Sequence, residues 1–318
     1  MSCDSFIRGV MAATGFYSGF TVSNSTVIRT GSFIWHGVIA VTLPIIFIFL
    51  SATSRTGEED LFELIFKILQ FTWMLTGIIY SWNLLYHCHS PVGVKRYYKQ
   101  LDETLASLQK LSINRKELML PWRQKLFAIT ILVIGFVNIL YVGVETSILG
   151  INPVIGNSLH NRNLSSELTS AIQVNYFIIT CFGSFIFPGT AIYIMNVAYV
   201  IRYLFEKYNQ RLKAVITDSI PETLDKLEGF RKVHLTLCSL LSVADDCFHQ
   251  IVGVIVTSCM VILLMLLYLL AEAIKMRVTS ALFYGISALW TGLTGVILFL
   301  LVYFCHKAYE EVGKYNTR

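Results

Sequence analysis

Six long apolar stretches, separated by polar segments, constrain this chain more than any other feature of its sequence. Each reaches the ~20 residues that an α-helix needs to cross a membrane. They cover roughly residues 32–52, 61–86, 126–149, 172–201, 250–272 and 280–305. The 55% share of hydrophobic residues and the 14% share of charged residues agree with this interpretation. We therefore predict an all-α, multi-pass transmembrane bundle with six spans, forming a single domain over residues 1–318.

The basic residues are divided unequally between the loops. Of 25 Lys and Arg residues, five lie in span two or in the loops after spans one, three and five. The other 20 (25 minus 5) lie in the N-terminal arm, the loops after spans two and four, and the C-terminal tail. Because basic loops stay in the cytoplasm, we predict that the arm (1–31) and the tail (306–318) are both cytoplasmic. A G-protein-coupled receptor, which needs an outward N-terminus, is the alternative that this asymmetry disfavours.

The formal net charge of +5 does not indicate a nucleic-acid-binding protein. The basic residues are spread over the cytoplasmic loops and interleaved with acidic residues such as Asp102, Glu103 and Glu228. Basic cytoplasmic loops of this kind lie beside anionic lipid headgroups. We therefore expect membrane lipid, rather than nucleic acid, as their neighbour.

Long amphipathic segments extend the predicted bundle into the cytoplasm. The pattern over 94–111 places Tyr98, Leu101, Leu105 and Leu108 on one side of a helix. The helical pattern of span four continues to residue 216, and a further helix follows Pro221. That helix carries a stripe at a spacing of three to four residues: Leu227, Phe230, His234, Leu237 and Leu241. We predict that these cytoplasmic helices pack on one another or on a neighbouring subunit.

The sequence contains no catalytic motif, and we do not predict an enzyme. His87, Cys88 and His89 are adjacent on a helix, so their side chains point in different directions and no second cluster supplies further metal ligands. We therefore predict neither a metal site nor another cofactor. A transporter needs charged or broken helices near the middle of the membrane, where these spans are mostly apolar. It remains a less favoured alternative.

The outward halves of the predicted spans combine aromatic and polar side chains. A small-molecule pocket needs this combination, because aromatic faces stack on a ligand and polar groups hydrogen-bond to it. An aromatic belt at the membrane interface is the alternative interpretation. The candidate ligand-binding residues are Trp73, Tyr141, Glu145, Asn175, Tyr268, Glu272, Tyr284 and Trp290.

Two N-x-S/T sequons lie on opposite sides of the predicted membrane. Asn163 lies in the outward loop after span three, whereas Asn24 lies in the cytoplasmic arm. We therefore predict glycosylation at Asn163 alone.

The stretches FEKYNQRLK (205–213) and LEGFRKVHLTLCSLLSVADDCF (227–248) carry spaced residues that resemble the insect gustatory receptor family. An aromatic residue, an Asn and a Leu at the end of the family's fourth helix match Phe205, Asn209 and Leu212. A Leu-Arg-His-Leu pattern leading into its fifth helix matches Leu227, Arg231, His234 and Leu237. After the sixth helix, CHKAYEEVGK (305–314) resembles the family's Cys followed by an acidic cluster and Lys.

This resemblance implies a gustatory receptor subunit in the plasma membrane of a sensory neuron. It also implies a tetrameric ligand-gated cation channel, assembled with its own copies or with other receptor subunits, that detects a small-molecule tastant from outside. Long cytoplasmic helices form the subunit anchor in that family. The resemblance therefore implies an assembly role for Asn209, Leu212, Leu227, Arg231, His234 and Leu237.

The family that this chain resembles ends with a seventh helix that lines the pore, whereas the sequence stops at Arg318, before a seventh span. We therefore expect either a shortened isoform or gene model, or a product that cannot conduct by itself. In the second case the chain is a regulatory subunit that assembles with full-length receptors.

Overall fold

A computed structural model places the chain in long helices. It describes residues 61–89, 93–111, 166–217, 223–275 and 281–313, with individual helical residues between 30 and 48 and between 129 and 140. We label the helices with described boundaries α1 (Leu61–His89), α2 (Val94–Gln109), α3 (Ser166–Thr217), α4 (Thr223–Lys275) and α5 (Ala281–Gly313). The described residues include no strand, so this part of the chain is all-α, as predicted.

Helices α1 and α2 follow the sequence pattern closely. Helix α1 ends just before Pro91, which cannot continue it. The Gly93 carbonyl oxygen then accepts hydrogen bonds from the backbone N–H groups of Arg96 and Tyr97, at 2.8 and 3.3 Å, and α2 begins. The predicted apolar side of α2, which includes Tyr98 and Leu108, is buried. The opposite side is exposed and charged, and the amphipathic prediction is confirmed.

Helices α3 and α4 are much longer than a membrane is thick. They contain 52 and 53 residues, which correspond to about 78 and 80 Å at ~1.5 Å per residue. The hydrocarbon core of a bilayer is only ~30 Å thick. The predicted continuation of span four to residue 216 is confirmed, because α3 ends at Thr217. The predicted cytoplasmic helix and span five form one continuous helix, α4.

Two stretches of the described helices are long and apolar enough to cross a membrane. They are Leu227–Lys275 and Ser287–Gly313, which contain most of the predicted spans five and six. Helix α5 continues to Gly313, so the predicted cytoplasmic tail begins as helix. Most residues of the predicted spans one and three lie outside the described residues.

Helix α4 organises the described part of the bundle. It packs against α1, α2, α3 and α5, and α3 also packs along α5. Its buried stripe runs through the more polar and the apolar parts of the helix without a break, from Leu237 and Leu240 to Ile251, Ile255 and Cys259. One core therefore joins the predicted cytoplasmic helices to the predicted membrane region.

Candidate functional site

Trp73 on α1 and Trp290 on α5 are two predicted ligand residues that the structure brings together. Their ring centroids are 6.5 Å apart and their planes are inclined by 68°, an edge-to-face contact. At ~1.5 Å per residue, the pair lies about 14 to 18 Å from the starts of the two helices. Both side chains are only partly buried, and both pack against the hydrophobic core.

A pair of hydroxyl groups lies about one helical turn beyond Trp73 along α1. The Thr76 hydroxyl can donate to the Thr72 carbonyl oxygen, at 2.8 Å, or to Ser258 Oγ on α4, at 3.1 Å. Thr76 is buried, and Tyr80, one turn beyond it, is fully buried. The sequence analysis missed these residues because single hydroxyl side chains in apolar spans form no motif. Their polarity within an apolar run was the available signal.

Three further candidates lie near the end of α4 and the start of α5. Glu272 accepts a hydrogen bond from Lys275 Nζ at 3.0 Å, and this ion pair compensates the charge of its carboxylate. Tyr268, one turn before Glu272, is 41% exposed, and Tyr284 at the start of α5 is half-buried. The ligand roles of these three side chains, as a rim around the two tryptophans, stay predictions.

Several predicted residues cannot be placed in this arrangement. Tyr141, Glu145 and Asn163 lie outside the described residues. The side chains of Asn175 and of the His87, Cys88 and His89 cluster also lie outside them. The ligand roles of Tyr141, Glu145 and Asn175, and glycosylation of Asn163, stay predictions.

Asn209 joins the C-terminal ends of α3 and α5. Its side-chain Nδ2 donates a hydrogen bond to the backbone carbonyl oxygen of Glu311 at 3.2 Å, and both residues are buried. The carbonyl groups in the last turn of a helix have no partner within that helix. Asn209 therefore satisfies one of these groups and fixes the end of α5. Leu212, one turn later on α3, is half-buried.

His234 joins α4 to α3 through aromatic contacts. Its ring lies against Phe205 and Tyr208, with centroid distances of 6.4 and 5.6 Å. The Tyr208 hydroxyl donates to the Phe230 carbonyl oxygen at 3.2 Å. Leu237, one turn from His234, is fully buried. Phe205 and His234, one from each resembling stretch, thus meet within one chain.

Leu227 and Arg231 lie outside this cluster. Both are exposed, and Arg231 donates to the Glu228 carboxylate through Nε at 2.7 Å and Nη2 at 2.8 Å. These hydrogen bonds hold the pKa of the Glu228 carboxyl below its usual range. Within the chain the stripe is buried at Phe230 and Leu237, and Leu241 is half-buried against the core. Leu227, at the start of the stripe, is exposed, so its packing on a neighbouring subunit stays a prediction.

Helix α2 docks through a tyrosine cluster that the sequence analysis did not identify. The hydroxyl oxygens of Tyr98 and Tyr193 on α3 are 3.1 Å apart and buried. Tyr97 and Tyr193 both contact Phe248 on α4 edge-to-face, with centroids 5.5 and 5.7 Å apart. Arg96 Nη1 lies 3.6 Å from Asp246 Oδ2 at the edge of the cluster. The short helix α2 thus holds α3 and α4 together.

Comparison with known proteins gives one match that covers almost the whole chain. The model of the family described as 7tm Chemosensory receptor matches residues 7–317. A search among curated proteins finds no matching sequence.

Proposed function

We propose that this chain, which belongs to the 7tm chemosensory receptor family, detects a tastant as a subunit of a ligand-gated cation channel. The chemoreceptor role follows from the family. Taste, rather than smell, rests on the gustatory pattern around Asn209 and His234. The proposed location is the plasma membrane of a sensory neuron, with the tastant approaching from outside.

The contact between Trp73 and Trp290 carries the proposal of a ligand site. Two partly buried indole rings from different helices offer an apolar surface on which a small molecule can stack. The hydroxyls of Thr76 and Ser258 lie just inward and supply hydrogen-bonding groups. At the rim, Lys275 compensates the Glu272 carboxylate. This chemistry favours an uncharged ligand with an apolar face and at least one hydroxyl or similar group.

Recorded currents test this site. The chain would be expressed in oocytes, alone and with other receptor subunits, and exposed to a panel of sugars, amino acids and alkaloids. Trp73→Ala and Trp290→Ala should each raise the half-maximal concentration of an active compound about tenfold, because each removes a stacking surface. Phe299→Ala is the matched control, since Phe299 is exposed on the same helix as Trp290.

Surface labelling of each variant separates loss of response from loss of expression. Unchanged half-maximal concentrations in both tryptophan variants would contradict the proposed ligand site. Currents absent from every subunit combination, with normal surface expression, would remove the channel function.

The proposed topology has six spans, with both ends of this sequence in the cytoplasm. It places Asn163 outside and Asn24 inside, so glycosidase treatment should change the mobility of wild-type protein and of Asn24→Gln, but not of Asn163→Gln. The opposite pattern would invert the orientation.

A regulatory subunit is the second candidate, and the exposed positions of Leu227 and Arg231 support it. Neither side chain is covered by the subunit's own helices, although both belong to the family-like pattern. A Leu227→Asp, Arg231→Glu double variant should reduce co-purification with a second tagged receptor subunit. Lys99→Glu, on the exposed side of α2, is the control and should have no effect. Equal co-purification of all three proteins would contradict the assembly role.

A further inference from the structure

Pro44 interrupts the backbone hydrogen bonds of the first predicted span. Ala40 and Pro44 are both helical, and four residues separate them. Proline has no N–H group, so Pro44 cannot donate to the Ala40 carbonyl oxygen as another residue would. No water replaces the missing donor inside a bilayer, where an unsatisfied carbonyl group is costly.

Trp82 on α1 supplies the missing donor. Its indole Nε1 donates to the Ala40 carbonyl oxygen at 2.9 Å. This is the same carbonyl that Pro44 leaves without its usual partner. The hydrogen bond therefore joins the first span to α1 at a carbonyl group that has lost its usual backbone donor within the span.

The position of Trp82 makes this tie reversible. The residue is 53% exposed, although Ala40 is buried. The large side chain is therefore held by its N–H group rather than by being enclosed. A hydrogen bond is strong in an apolar medium, but the ring can leave without opening a cavity in the core.

We propose that Pro44 and Trp82 form a hinge with a releasable latch in the first span. In the latched state the indole holds the Ala40 carbonyl and so fixes the span beside Pro44 relative to α1. When the indole leaves, the span bends at Pro44. This device goes beyond the proposed function and depends on no particular ligand.

Distance measurements across the hinge test the proposal. Spin labels would be introduced as unnatural amino acids, because the chain contains seven cysteines. One pair, Ala52 and Ile68, would report on the outward side of Pro44. A control pair, Val38 and Tyr86, would report on the inward side. Purified protein in phosphatidylcholine nanodiscs would be measured by pulsed electron paramagnetic resonance.

Trp82→Phe keeps an aromatic ring but removes the N–H donor. It should shift or broaden the outward distance by about 4 Å, the displacement expected for a ~20° change of bend over eight residues. The inward distance should not change. Adding Pro44→Ala should restore the narrow wild-type distribution, because alanine at this position has a backbone N–H group that can donate to the Ala40 carbonyl within the helix.

Three results would overturn the latch. They are an unchanged outward distance in Trp82→Phe, equal broadening of both label pairs, and no restoration by Pro44→Ala. If Trp82→Phe does not fold, the Pro44→Ala variant still decides. Its outward distribution should be as narrow as that of the wild type or narrower, and a broader one contradicts the proposal. None of these outcomes depends on ligand-evoked current, so the hinge can fail while the receptor function stands.

Discussion

The two halves of helix α4 share one buried stripe but expose different side chains on the opposite side. The exposed residues of the first half include Arg231, Lys232, Asp245 and Asp246. In the second half they include Met260, Leu264, Leu267 and Ile274. The helix does not break between them. The difference therefore lies in the surroundings: the first half suits water, and the second suits lipid.

Replacement of Leu237 tests the buried side of the first half of α4. Leu237 is fully buried, so Leu237→Ala should lower the free energy of unfolding by about 2 to 5 kcal/mol through lost contacts and a cavity. Leu235→Ala, two residues earlier and 53% exposed, should change it little. Thermal unfolding of the purified protein measures both. Similar losses in the two variants would mean that burial does not distinguish these positions.

A charge on the exposed side tests the difference between the two halves directly. Leu264 is 64% exposed in the second half, and Leu264→Lys should cost about 2.5 to 3.5 kcal/mol of insertion energy if that side faces lipid. The same change at Leu235 should cost almost nothing, because water receives the charge. A glycosylation-based insertion assay compares them. Equal insertion of both variants would show that the exposed sides of the two halves of α4 do not differ in their surroundings.

Removal of the Tyr98 hydroxyl tests how α2 is held against α3 and the first half of α4. Tyr98→Phe deletes the hydrogen bond to Tyr193 and should lower the free energy of unfolding by about 1 kcal/mol. The Tyr98→Phe, Tyr193→Phe double variant should lose less than the sum of the single changes. Tyr309→Phe, at an exposed position on α5, is the control for thermal unfolding. Strict additivity of the two changes would show that the hydroxyls do not interact.

The smallest expected effect concerns the surface pair of Glu228 and Arg231. A carboxyl whose pKa is lower in the folded chain stabilises the fold above its unfolded pKa. It loses that contribution as the pH falls through its folded pKa. The stability difference between wild type and Glu228→Gln should therefore shrink on acidification, and also in high salt. Thermal unfolding midpoints of wild type and Glu228→Gln, recorded across acidic pH, measure this difference. A difference that grows on acidification would reverse the assigned sign.

The sequence predicts features that depend on neighbours along the chain. The spacing of Tyr98, Leu101, Leu105 and Leu108 correctly predicts the buried side of α2, because a single helix determines which residues share a face. The end of α1 before Pro91 follows from the chemistry of proline alone. The sequence also gives the distance of a residue from the start of its helix, and this distance is similar for Trp73 and Trp290.

Features that depend on the rotation of one helix against another were not predictable. Depth does not reveal that Trp73 and Trp290 touch, or that Thr76 faces Ser258. Leu227 follows the stripe in sequence but is exposed in the chain. The bond from Trp82 to Ala40 joins side chain to backbone, so no pattern of residue types indicates it.

The length of α4 has a mechanical consequence. Phe248, where α2 and α3 clamp the helix, lies near the middle of its 53 residues, and the helix contains no proline. The two arms are about 38 and 40 Å long at ~1.5 Å per residue. A tilt of about 5° around the clamp would move each end by about 3.5 Å, in opposite directions. A rigid-body rotation of α4 about Phe248 would therefore displace its two ends by nearly equal distances.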